Sequence, residues 1–100
     1  MRELLTDADV ADRLQDLSGW SAAGGPDAAI SRTLKFDDFK AALGFVNRVG
    51  DEAEQLDHHP DIDIRWNQVT FTLSTHSAGG LTNLDFELAQ RISRLAASSA

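Results

Sequence analysis

Two alternating segments in the second half of the chain constrain the fold most strongly. Residues 61–66 and residues 69–74 each place an apolar side chain at every second position. A period of two is typical of strands with one buried face. Only Asn67-Gln68 separates the segments, and Asn tolerates the positive φ that short hairpin turns need. The sequence therefore predicts an antiparallel hairpin, with Trp66 on its apolar face.

Three helices are predicted around this hairpin. Apolar residues at helical spacing follow the N-cap candidates Thr6, Asp37 and Thr82. Asp85, three residues after Thr82, forms a variant of the capping box with it. In the middle helix we expect the apolar stripe to consist of Phe39, Ala42, Leu43, Val46, Val49, Ala53 and Leu56.

Two further strands are predicted in the first half of the chain, at 20–23 and 30–36, with a turn at 24–27 between them. The element order is then α-β-β-α-β-β-α, within a single domain spanning residues 1–100. Paired strands separated by helices favour an α+β fold. We therefore expect a four-stranded antiparallel sheet with three helices on one face.

The charge and the missing cysteines exclude several function classes. The formal net charge of −7 disfavours binding to nucleic acid or to an anionic membrane, because both need cationic side chains. With no cysteine, the chain has no disulfide, thiol catalyst or cysteine-ligated zinc. No apolar segment is long enough to cross a bilayer, and the acidic N-terminus is unlike a signal peptide. We expect a cytoplasmic protein.

All three histidines flank the predicted hairpin. His58 and His59 precede its first strand, and His76 follows its second. Because a hairpin brings its outer ends together, these side chains are expected to converge at one end of the sheet. Three interpretations stay open at this point: solvated histidines beside an acidic helix end, a three-histidine metal site, and acid–base catalysis on a neutral organic ligand.

The residues around the histidines resemble the signature of a known family. Residues 54–60, Glu-Gln-Leu-Asp-His-His-Pro, match an acidic-x-x-x-His-His-Pro pattern. Trp66, His76 and Asp85 follow after five, nine and eight intervening residues. Together with Gly19-Trp20 near the N-terminus, this pattern resembles the pterin-4a-carbinolamine dehydratases over nearly the whole chain.

The resemblance implies an enzyme, a hydro-lyase that dehydrates 4a-hydroxytetrahydropterin to quinonoid dihydropterin. This 4a-hydroxytetrahydrobiopterin dehydratase reaction recycles the tetrahydropterin cofactor of aromatic amino-acid hydroxylases. The implied catalytic residues are His58 and His76 as acid and base groups and His59 as a substrate-binding histidine. The other residues implied around the pterin are Trp20, Glu54, Asp57, Pro60, Ser74 and Thr75, of which Glu54 and Asp57 would orient or charge the histidines. Asp85 is expected to be a helix cap rather than a catalytic group.

The resemblance also bears on cofactors and partners. Pterin is the substrate, so neither a metal nor a separate cofactor is expected. Self-association into a homodimer or homotetramer is implied, through strand edges or helices. The alternative function is a non-enzymatic protein-binding or dimerisation module on the same fold, because animal relatives of the family also serve as a dimerisation cofactor of a homeodomain transcription factor.

Overall fold

The computed structural model describes residues 3–23 and 28–98. Its elements are α1 (Asp7–Gln15), β1 (Ser21–Ala23), β2 (Ala29–Lys35), α2 (Phe39–Leu56), β3 (Asp61–Arg65), β4 (Gln68–Leu73), a short 3-10 helix (His76–Ala78) and α3 (Asn83–Ser98). The predicted element order and the α+β class are confirmed. The turn predicted at 24–27 lies outside the described residues.

The four strands form one antiparallel sheet in the order β1-β2-β4-β3. In the hairpin, Asp61 of β3 pairs with Thr72 of β4, and Arg65 pairs with Gln68. Strand β2 lies on the other side of β4, with Ile30 opposite Leu73. The segment before β3 and the segment after β4 therefore leave the sheet at the same end, which is where all three histidines occur.

The core lies between the sheet and the helices. Helix α2 contributes Ala42, Phe45, Val49 and Ala53 to it, and α3 contributes Phe86, Leu88, Ala89 and Ile92. The Phe45 ring packs 5.9 Å from the Phe71 ring of β4. The predicted stripe of α2 is wrong at Phe39 and Leu43, which are exposed. The buried face of α2 includes Phe45, which the prediction left out, and it is therefore centred away from Phe39 and Leu43.

The helix starts follow the capping chemistry of the sequence. Thr6 and Asp9 form a reciprocal capping box at α1. Helix α2 is capped by Asp38, whose carboxylate accepts from the Ala41 N–H at 2.7 Å, rather than by the predicted Asp37. At α3 the Asp85 carboxylate accepts from the Thr82 N–H at 2.9 Å, as predicted.

The hairpin turn differs from the prediction by one residue. It consists of Trp66-Asn67, and the positive φ of 52° falls on Trp66. The reason is that Asn67 is buried and bonded to Phe36, the residue directly after β2. The Asn67 side-chain amide donates to the Phe36 carbonyl at 2.9 Å, and the Asn67 backbone carbonyl accepts from the Phe36 N–H. Trp66 is consequently 69% exposed, and its predicted core position is wrong.

Candidate active site

The end of α2 fixes the position of His58. Asp57 has left-handed backbone angles and ends the helix, an arrangement that Asp tolerates better than most residues. The Asp57 N–H donates to the Glu54 carbonyl, and the His58 N–H donates to the Ala53 carbonyl at 3.1 Å. This pair of bonds is a Schellman motif, which satisfies the last carbonyls of the helix. The imidazole of His58 is thereby attached to a rigid helix end and is buried.

A buried carboxylate connects this helix end with the rest of the site. Asp85 of α3 is fully buried, and its Oδ1 lies 2.6 Å from Nε2 of His58. Its Oδ2 accepts from the Thr75 hydroxyl at 2.8 Å and from the Thr82 N–H at 2.9 Å. The Thr75 and Thr82 hydroxyls also lie 2.8 Å apart. One side chain therefore joins the end of α2, the segment after β4 and the start of α3.

The hydrogen-bond directions define which ring nitrogen of His58 is available. The Thr82 N–H can only donate to Asp85, and the Thr75 hydroxyl also donates to it, whereas a carboxylate in its ionised form only accepts. His58 accordingly donates through Nε2–H, and a neutral ring then carries its lone pair on Nδ1. The cluster leaves Nδ1 of a buried, oriented imidazole as the nitrogen that can take a proton.

His59 has a different environment from its neighbour. Its Nε2 lies 2.5 Å from Oε2 of Glu54, which is one turn before the end of α2. Both side chains are largely exposed to solvent, at 59% and 75%. An exposed pair of this kind orients a ring but adds little to stability. The resemblance implied that Glu54 orients one of the histidines, and in the structure its partner is His59.

His76 follows the Thr75 that contacts Asp85. It is the first residue of the 3-10 helix and is exposed. The loop that carries it is closed by two bonds between Thr75 and Gly80, with the Thr75 N–H donating to the Gly80 carbonyl at 2.8 Å. The structure thus places His58 and Thr75 on one carboxylate, with His76 as the next residue along the chain.

Not all of the remaining predicted site residues lie at this end of the sheet. Pro60 and Ser74 are half-buried, and the Ser74 hydroxyl donates to the Ala28 carbonyl. The Asp57 side chain is exposed beside His58. Trp20 is buried in the core, where its indole N–H donates to the Ser93 hydroxyl of α3 at 2.9 Å. Its hydrogen bond is therefore made two helical turns along α3 from Asp85.

The sequence predicts that Thr82 and Asp85 cap α3, and it gives neither residue a place in a cluster with His58. The Thr-x-x-Asp spacing was assigned to helix capping, and the structure shows that the same carboxylate also holds His58. The sequence offers no separate signal for this contact, because the burial that makes the carboxylate need several donors arises only when the fold packs. Within the described part of the chain, no group of three or more His, Asp or Glu side chains is arranged to hold a metal ion.

Comparisons with known proteins show the family of this chain. The family model described as pterin 4 alpha carbinolamine dehydratase matches residues 3–95. The chain belongs to this family. It is 55% identical over 94 residues to a provisionally named pterin-4-alpha-carbinolamine dehydratase of Nocardia farcinica, covering 94% of this chain and 96% of that protein. A similarly named protein of Mycobacterium tuberculosis is 48% identical over 89 residues, covering 89% and 92%.

Solved structures of relatives share the fold. A transcriptional coactivator/pterin dehydratase from Brucella melitensis superposes with a TM-score of 0.88 at 39% identity, over 93% of this chain and 98% of that one. A pterin dehydratase-like RuBisCO assembly factor of the alpha-carboxysome has a TM-score of 0.65 at 22% identity, over 78% and 89%. This second likeness concerns the fold alone. Family membership supports a pterin carbinolamine dehydratase activity, and no helix in the described residues has the length and apolarity to cross a membrane.

Proposed function

We propose that this pterin-4a-carbinolamine dehydratase family member removes water from 4a-hydroxytetrahydropterin by proton transfer through its histidines. The observation that carries the proposal is the bond from Nε2 of His58 to the buried Asp85, which leaves Nδ1 free to act. A histidine oriented by a carboxylate is suited to take a proton, because the carboxylate stabilises the imidazolium that forms.

The reaction needs one proton removed and one proton supplied. The hydroxyl on C4a leaves as water after it gains a proton, and the C4a–O bond breaks. The N5–H proton is lost, and its electron pair becomes part of the new C4a–N5 double bond. The proton count balances, because the base takes one proton and the acid gives one. An imidazole can perform either step near neutral pH.

The environments of the histidines support a division of roles. His58 is the base for the N5 proton, because Asp85 accepts from its other nitrogen. His76 is the acid for the leaving hydroxyl, because its exposed ring can be reprotonated from solvent. His59, oriented by Glu54, binds the pterin. The reaction requires neither a metal nor a nucleotide cofactor, and elemental analysis of purified protein tests the first point.

The decisive experiment follows the decay of chemically generated 4a-hydroxytetrahydropterin by stopped-flow absorbance. The chain should accelerate this decay, and both His58→Ala and His76→Ala should lose most of the acceleration while circular dichroism shows an intact fold. Acid–base groups contribute about 10²–10⁴ in rate, so losses of that size are expected. Wild-type rates in both variants would falsify the histidine roles. Asn47→Ala, an exposed position of α2, serves as the control for an unrelated truncation.

The proposed biological role is recycling of the tetrahydropterin cofactor of an aromatic amino-acid hydroxylase. It is supported by the family to which the chain belongs. Adding the protein to a hydroxylase assay at limiting tetrahydropterin should raise the sustained rate of hydroxylation. An unchanged rate, with the dehydration assay positive, would restrict the proposal to the chemical step.

We further propose that the chain forms a homodimer or homotetramer. The supporting observations are the exposed apolar side chains of Phe39 and Leu43, one turn apart on α2, and of Ile62 on edge strand β3. Sedimentation equilibrium should give a mass of two or four chains, and a monomer at micromolar concentration would contradict this. The alternative function, a non-enzymatic protein-binding module, would require a stoichiometric protein partner together with no acceleration in the stopped-flow assay.

A further inference from the structure

Arg32 is a charged residue on the helix-covered side of the sheet. Its Nη1 donates to the Ser93 hydroxyl of α3 at 3.1 Å, and its side chain is half-buried. In residues 3–23 and 28–98 no carboxylate forms an ion pair with it, whereas Arg91 of α3 pairs with two glutamates. A half-buried guanidinium with no carboxylate within ion-pair distance is costly, so a site of this kind favours an anion.

A cavity of about 380 Å³ opens beside this guanidinium. That volume lies within the range of small-molecule sites in proteins. The polar lining comes from Arg32, Ser18, Ser93 and Asp16, and the apolar lining comes from Leu17, Leu34, Ala96 and Ala97. The cavity combines one fixed cation and two hydroxyls with hydrocarbon walls.

Ser93 and Arg32 supply hydrogen-bond donors to the cavity. The Ser93 oxygen accepts from both the Trp20 indole at 2.9 Å and Arg32 at 3.1 Å, which occupies its two lone pairs. Its own hydroxyl hydrogen makes no hydrogen bond to any described residue. Arg32 uses one of its N–H groups on Ser93 and keeps others for a ligand. Donors of this kind bind a carboxylate or phosphate oxygen.

Gly19 restricts where the Arg32 guanidinium can lie. The glycine has a left-handed φ of 88°, and a Cβ added there would lie 2.7 Å from Nε of Arg32. The backbone of residue 19 therefore packs directly against the guanidinium, and Ser93 accepts a hydrogen bond from its Nη1. A side chain that is already ordered loses less conformational entropy when it binds a ligand.

The cavity is separate from the histidine site. Ser93 lies eight residues after Asp85 on α3, which is about 12 Å along the helix axis. In the sheet, Arg32 pairs with Phe71 rather than with the residues at the histidine end. A ligand here would not occupy the position proposed for the pterin.

We propose that this cavity binds a small organic monoanion whose carboxylate pairs with Arg32 and Ser93 and whose apolar part contacts Leu17 and Leu34. A monoanion is favoured over a phosphate dianion because the cavity holds one cation and also the Asp16 carboxylate. The Asp16 charge opposes any anion, so it sets a limit on the charge that the site accepts.

The test is a titration of the full chain with benzoate, followed by amide NMR spectra. Saturable shifts should be centred on Gly19, Arg32 and Ser93. Arg32→Gln should weaken binding by about tenfold or more, corresponding to the loss of a charge-assisted bond. The matched control is Lys35→Gln, which removes a positive charge from the opposite, exposed face of β2 and should leave the affinity unchanged.

Two further variants keep the test decisive if Arg32→Gln folds poorly. Ala97→Phe, at an exposed helical position that lines the cavity, should block benzoate without touching its polar floor. Asp16→Asn should tighten binding. The proposal is overturned by the absence of saturable shifts at millimolar benzoate, by equal affinity in Ala97→Phe, or by weaker binding in Asp16→Asn. Inorganic phosphate binding as tightly as benzoate would overturn the preference for an organic carboxylate.

Discussion

Replacing Asp85 by Asn changes the charge of the buried cluster without changing its size. The amide oxygen can occupy the Oδ2 position and keep the bonds from the Thr75 hydroxyl and the Thr82 N–H. The amide NH₂ then faces Nε2 of His58, 2.6 Å away in the wild-type chain. Two donors cannot share that bond, so His58 must move its hydrogen to Nδ1. The nitrogen proposed as the base is then already protonated.

The expected magnitudes follow from this geometry. A hydrogen bond to a charged group contributes roughly 1.5–3 kcal/mol, against about 0.5–1.5 kcal/mol for a neutral one. The free energy of unfolding should therefore fall by about 1–2 kcal/mol. The catalytic loss should be larger than this, because general base catalysis contributes about 10²–10⁴ in rate. We expect kcat to fall by at least about 10²-fold.

The matched control is Asp38→Asn at the N-terminus of α2. Asp38 also caps a helix, accepting from the Ala41 N–H, but its side chain is exposed and has no contact with a histidine. Asn caps a helix about as well as Asp, so this variant should keep both its stability and its dehydration rate. Stopped-flow absorbance gives the rate, urea unfolding gives the stability, and nitrogen-15 NMR of the imidazoles reports the tautomer of His58.

Asp85→Asn should give a specific pattern of effects rather than a general loss of activity and stability. In Asp85→Asn, kcat should fall and the ring nitrogen signals of His58 should exchange their assignments. Adding His58→Ala should reduce the rate little further, because both changes remove the same base. A wild-type kcat with an altered unfolding curve would show that Asp85 is only a helix cap, and the proposed positioning role would be refuted.

Three other variants test separate parts of the structure. Glu54→Gln should raise KM, because it loosens His59, while the urea unfolding midpoint stays unchanged for so exposed a pair; a shifted midpoint with normal KM would contradict this. Asn67→Ala should lower the free energy of unfolding by about 1–3 kcal/mol, since it leaves the half-buried Phe36 carbonyl, directly after β2, without the side-chain amide that donates to it; urea unfolding measures it. Gly19→Ala should cost about 1–2 kcal/mol from the left-handed φ, with a further cost from displacing Arg32; a thermal melt equal to that of the wild type would argue against both effects.

The fold could be predicted because its strongest signals are local. The alternation on either side of the hairpin and the Thr-x-x-Asp start of α3 are each contained within a few neighbouring residues, and both were confirmed. The turn was wrong by one residue because its position depends on Asn67 bonding to Phe36, which is 31 residues away. No local pattern reports a bond of that range.

The candidate site likewise combines contacts between neighbouring residues with contacts between residues far apart in the sequence. The contact between Glu54 and His59 joins residues five positions apart at the end of α2, where the resemblance already implied that Glu54 orients a histidine. The contact between His58 and Asp85 joins residues 27 positions apart and depends on how α2 and α3 pack. Local spacing also explained Asp85 fully as a cap, so nothing in the sequence required a second role. The contact with His58 depends on the full burial of the carboxylate and on its three partners, which only the packed fold provides.

The contrast between the two tryptophans gives the chain an internal optical probe. The sequence contains no tyrosine, so Trp20 and Trp66 dominate its ultraviolet emission. Trp20 is 6% exposed and hydrogen-bonded in the core, and Trp66 is 69% exposed at the hairpin tip. A soluble quencher such as acrylamide should therefore quench the longer-wavelength emission of the exposed Trp66 and leave the shorter-wavelength emission of the buried Trp20 largely unchanged. With Trp66→Phe, the surviving signal would monitor the packing of α3 against the sheet in real time.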